Sequence, residues 1–137
     1  FLKIGNIFLY YRFFYYLCSM INKNELRIGN LVKYINDDTI FEVVEIDDLG
    51  IRVKNEEQTT WIEYDSFEPI RLTDKWYPML GFEEKNIGYF HKNDTIITTE
   101  HQVYFGDDEV WVGEKYQVHR LQNLYFELEN EELILIN

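Results

Sequence analysis

The sequence predicts an α+β fold, a small SH3-like β-barrel docked on a helix–β-meander–helix half. Three observations predict it. Residues 31–72 alternate short β-branched and aromatic runs with tight polar turns. Residues 87–113 repeat that pattern behind a short helical signal. The stretch after Gln117 carries apolar residues at helical spacing.

The elements follow in order. From Leu26 the chain alternates apolar and polar residues through Ile28, Leu31 and Val32, with Gly29-Asn30 as a turn or bulge inside the run. Asn36-Asp37-Asp38 reads as a hairpin turn before the β-rich run TIFEVVEI at 39–46. Asp47-Asp48-Leu49-Gly50 is the next turn, and Ile51 and Val53 share one face of a third strand. The segment TTWIEYDSF follows, with Trp61 expected inward. Thr73 is an N-cap candidate for a helix through Trp76, Met79 and Leu80 that stops at Gly81. Pro78 restricts that helix to little more than one turn. A three- or four-stranded meander is expected from 87–91, 95–99, 101–105 and 109–113. Val118, Leu121, Leu124, Tyr125 and Leu128 form the stripe of a terminal helix, and Leu133 to Ile136 suits a last edge strand.

The 137 residues suffice for one compact domain, or two very small ones sharing a core. Aromatics at 18% and only two prolines argue against disorder. The net charge of −12 argues against a protein that coats nucleic-acid phosphates, which needs Lys and Arg to displace counterions. A single cysteine excludes an internal disulfide framework.

Composition breaks sharply near Met20. Residues 1–19 carry Lys3, Arg12 and no acid, whereas residues 21 onward hold 11 bases against 25 acids. Three readings of the first stretch compete: a membrane or signal segment, an aromatic element packed on the domain, and non-native translation upstream of Met20. The first is weakened by Arg12 and by the short apolar run. We prefer the third, because Phe, Leu, Ile, Lys, Asn and Tyr are what A/T-rich codons specify. The expected division is therefore 1–19 upstream translation, 20–72 barrel and 73–137 α+β half.

The Asn24-Glu25-Leu26-Arg27-Ile28-Gly29-Asn30 opening, Glu68-Pro69-Ile70 before Leu72-Thr73, and the terminal run Val118-His119-Arg120-Leu121-Gln122-Asn123-Leu124-Tyr125-Phe126 carry a resemblance. The chain resembles a group of small uncharacterised proteins of Bacteroidetes genomes and their phages over most of residues 22–135. Pro78 departs from that group's usual apolar helix. The resemblance implies a phage or mobile-element setting in the cytoplasm; it supplies no mechanism.

Chemical signatures are sparse. His91, His101 and His119 show no zinc or iron spacing, and no cofactor or metal site is expected. Ser66 lacks a nucleophile-elbow context, and the glycines stand apart rather than in a phosphate loop. His119, Gln122 and Asn123 flank the helical stripe, where they can hold a ligand or, more commonly, fix the helix to neighbouring backbone. Asp37, Asp38, Glu42, Glu45, Asp47 and Asp48 cluster in a dozen residues and suit either solubility or a basic partner. Trp61 and Tyr64, with Tyr34, Phe41 and Phe67, offer aromatics for a peptide or cation, although a small barrel needs most of them as core.

The expectation is a non-enzymatic, cytoplasmic protein-binding module, its partner a protein, a basic one if the acidic cluster is the binding surface, with no direct nucleic-acid contact and no membrane unless residues 1–19 are expressed. Two alternatives stand beside it: a nucleic-acid mimic that blocks a host enzyme, and an enzyme using His119 with a carboxylate.

Overall fold

A computed structural model describes residues 21–136; the boundary expected at residues 1–19 lies outside them. The chain forms an α+β fold with two five-stranded antiparallel sheets and few helices.

The first sheet holds β1 (Leu31–Tyr34), β2 (Ile40–Ile46), β3 (Gly50–Lys54), β4 (Thr59–Glu63) and β5 (Phe67–Glu68), in the order β4-β3-β2-β1-β5. It curls: Tyr34 of β1 and Trp61 of β4 line one groove although two strands separate them in the ladder. A register shift between Val43 and Glu45 supplies a bend in β2. Val32, Phe41, Val43, Ile51, Val53, Ile62 and Phe67 fill the concave side with Leu26. β2 and the paired faces of Ile51 and Val53 match expectation. The first strand does not: residues 23–25 form a 3-10 turn, and Ile28 is exposed. Asn30 explains this, because its side-chain oxygen accepts the Arg27 N–H at 2.8 Å and folds the segment into a turn.

The second sheet holds β6 (Glu83–Asn86), β7 (Tyr89–Lys92), β8 (Thr95–Thr98), β9 (Gln102–Phe105) and β10 (Val110–Glu114), in sequential order. It has one strand more than expected. β6 reads Glu-Glu-Lys-Asn and is exposed throughout, so hydrophobic alternation gives no sign of it. Ile87 sits in the β6–β7 turn, with Gly88 at φ 82°, rather than in a strand.

Helix α1 spans only Trp76–Met79. Thr73 does not cap it through its side chain; its carbonyl accepts the Trp76 N–H at 2.9 Å. Pro78 falls in the first turn, where an N–H has no intrahelical partner to lose. Gly81, at φ 89°, ends the turn, and Phe82 N–H returns to the Tyr77 carbonyl at 2.9 Å. Helix α2 (Val118–Glu129) packs against β1 on one side and β8 on the other. Its buried Val118, Leu121 and Tyr125 join Leu31, Tyr77, Phe90, Ile97 and Val103 in a second core. Leu133 to Ile136 is no strand: Leu133 is buried in that core, and Ile136 N–H bonds Met79 O at 2.9 Å, drawing the segment to α1 instead of a sheet edge.

Candidate functional site

The predicted residues fall in three places. At the first, α2 meets the first sheet. Gln122 is buried, accepts the Leu31 N–H at 2.8 Å and donates to the carbonyls of Gly29 at 3.1 Å and Leu133 at 2.9 Å. Asn123 donates to Glu25 O at 2.7 Å and accepts from Asn30 Nδ2 at 2.9 Å. His119 is fully buried, with Nε2 3.5 Å from a Glu25 carboxylate that also takes Arg120. Burial pushes its pKa down, against the opposing pull of Glu25. Gln122 and Asn123 are thus engaged with main chain, as helix docking requires, whereas the Nδ1 of His119 is buried with no hydrogen-bond partner among the described residues.

At the second place, the β2–β3 end, acids hold the turn. Asp47 Oδ1 accepts the N–H groups of Leu49 and Gly50 at 2.8 and 2.9 Å, and its carbonyl accepts the Tyr64 hydroxyl at 2.5 Å. Burial and the nearby Asp47 and Asp48 raise the Tyr64 pKa. Glu45 pairs with Arg52 at 2.8 Å, and Asp48 is exposed. Glu42 lies apart, opposite Leu31 and Lys54, in a cleft of about 690 Å³ shared with Leu135.

The third place is a groove of about 340 Å³ beside β4. Its lining is mostly polar and includes Tyr34, Asp37, Trp61 and Glu63, with the buried Phe41 and Ile62 also contributing. Trp61 is 52% exposed, which corrects the inward placement. Strand alternation sends Ile62 to the core and so turns Trp61 outward. Asp37 accepts the Thr39 N–H at 3.0 Å, and its bonds to Thr39 lower its pKa, keeping it ionised at the groove mouth. Asp38, at φ 59°, lies 3.6 Å from Lys33, which also holds Glu68 at 3.0 Å. The groove thus joins Trp61 and Asp37 of the predicted set and excludes Tyr64. Glu63 was missed as a groove residue; the Trp-Ile-Glu alternation is the signal that places it beside Trp61.

His101 faces elsewhere. Its Nδ1 lies 2.6 Å from the buried Tyr77 hydroxyl, and its ring meets Tyr116 edge-on. Among the described residues, no group of three or more His, Cys, Asp or Glu is placed to hold a metal, and no helix is long and apolar enough to cross a membrane.

Compared with protein-family models, curated proteins and solved structures, the chain matches none.

Proposed function

We propose that this chain is a small, acidic, non-enzymatic protein-binding module. In this reading the first sheet is an SH3-like barrel left open at one seam, docked on the α+β half, and the seam is where a partner binds. One observation carries the reading: a half-exposed tryptophan lines a mostly polar groove with two carboxylates beside it. Tryptophan is enriched among the residues that anchor interfaces. The carboxylates favour a basic partner and a rate of encounter that falls with salt. The phage or mobile-element setting and the cytoplasmic location rest on the sequence resemblance.

The engagement of Gln122 and Asn123 with backbone, and of His119 with the Glu25 carboxylate that Arg120 also holds, supports a structural role over a catalytic one. The turn-holding bonds of Asp37 and Asp47 and the Glu45–Arg52 pair favour the groove over charge-only mimicry of nucleic acid.

Selection of random displayed peptides on the folded chain tests the proposal. Enrichment of basic sequences by the native chain, lost in Trp61→Ala and weakened by salt, is the expected result. Equal enrichment by native chain and variant, or none by either, overturns it.

A further inference from the structure

Edge strands carry a row of unpaired main-chain groups, and folded proteins blunt them by shortness, charge or bulges. The edges here are β4 and β5 in the first sheet and β6 and β10 in the second. β5 has two residues. β6 is charged and shifts register between Glu84 and Asn86. β10 shifts register between Trp111 and Gly113. β4 is the least defended: it carries a single charge, Glu63 at its end, and its five residues pair with β3 in one unbroken register.

The ladder fixes where its main-chain groups point. Gly50 O accepts the Asp47 N–H at 3.0 Å, so Gly50 and Arg52 bond toward β2, while Ile51 and Val53 bond toward β4. On β4 their partners are Ile62 and Thr60. Thr59 and Trp61 therefore direct both N–H and C=O away from the sheet, and no strand among the described residues pairs with β4 on that side. The groove runs along this edge, with Asp37 and Glu63 in its walls.

We infer that β4 receives an extended, basic polypeptide segment of another protein as a sixth strand of the first sheet. Main-chain bonds to Thr59 and Trp61 hold it. Its Lys or Arg side chains lie along the Trp61 indole toward Asp37 and Glu63. This rests on the groove as the binding surface. A second copy is a poorer occupant: with Trp61 at its centre, an antiparallel β4–β4 pairing sets Glu57 opposite Asp65, and like charges directly opposite destabilise.

The probe is a short capped peptide of alternating lysine and valine, with two versions N-methylated at every second residue in opposite phases. Strand addition predicts that one phase loses binding at least tenfold and the other keeps it, because successive residues point their main chain to opposite sides. Thr59→Pro removes an outward N–H and abolishes binding while leaving the β3–β4 ladder. Should that variant fail to fold, the methylation phases still decide. Equal effects of both phases overturn strand addition but leave the groove reading standing. Binding of an alternating glutamate and valine peptide as tightly as the lysine one overturns the basic specificity. Absence of lysine-peptide binding overturns the inference, and the displayed-peptide selection then judges the groove independently. A dimer of the chain that Thr59→Pro dissolves would make the occupant a second copy and overturn the foreign partner.

Discussion

The side-chain oxygen of Gln122 accepts the main-chain N–H of Leu31 at 2.8 Å, a buried bond between residues 91 apart in the chain. The same amide's nitrogen reaches Gly29 and Leu133. Replacing it by alanine strands three main-chain groups. Gln122→Ala is expected to cost about 3 kcal/mol, read from the urea midpoint. Gln122→Glu is expected to cost at least as much, since it loses two donated bonds and buries a carboxylate.

Asn30 and Asn123 bond side chain to side chain, and each also fixes backbone. A double-mutant cycle with alanine at both sites is expected to show a coupling of about 1 kcal/mol. Additive effects would mean that the bond contributes nothing of its own.

Stability falls on acidification. His119 and His101 both have pKa values lowered by burial, opposed by Glu25 for His119 and by Asp74 for His101. Unfolded histidine titrates near ~6.5, so below that pH the unfolded chain takes up protons first. Each histidine lowers stability by at most about 1.4 kcal/mol per pH unit as pH falls from ~6.5 to its folded pKa. His119→Gln is expected to flatten the slope of urea midpoints over this window.

Gly50 allows the close approach of β3 and β4. A Cβ added there would strike the carbonyl of Ile62, which belongs to the backbone and cannot swing aside. Gly50→Ala is expected to cost about 2 kcal/mol, checked by thermal unfolding.

Adjacent residues of β4 are expected to behave oppositely. Trp61→Ala leaves stability within about 0.5 kcal/mol, because the side chain is half in solvent, yet removes peptide binding. Ile62→Ala costs about 3 kcal/mol by opening a cavity in the first core. Calorimetry of both variants, with and without the lysine peptide, separates the two roles.

The readable parts of the fold were those with one buried face. β2 and β3 announce themselves through alternation, and the β7–β8 and β9–β10 hairpins through their Asn93-Asp94 and Gly106-Asp107-Asp108 turns. β6 has no buried side chain and joins its sheet through main-chain pairing alone, which leaves no trace in residue pattern. Helix α2 showed its stripe, but not that a second face is covered. His119 and Gln122 are buried because β1 and β8 flank the helix on two sides. At the groove, Trp61 and Ile62 are both large and apolar, so the residue types alone leave open which faces the core. The curl of the sheet, which brings Tyr34 across to Trp61, is a long-range property absent from any local window.

The two cores also differ in when they can close. Leu26 through Phe67 supply every buried member of the first, so a chain emerging from the ribosome has that core's residues in hand early. The second needs both Leu31 and Leu133, from opposite ends of the described chain. Until α2 and Leu133 emerge, Phe90, Ile97 and Val103 present an uncovered apolar sheet. A nascent chain halted before α2 is thus expected to expose that sheet to aggregation, and the arrival of α2 and Leu133 closes it.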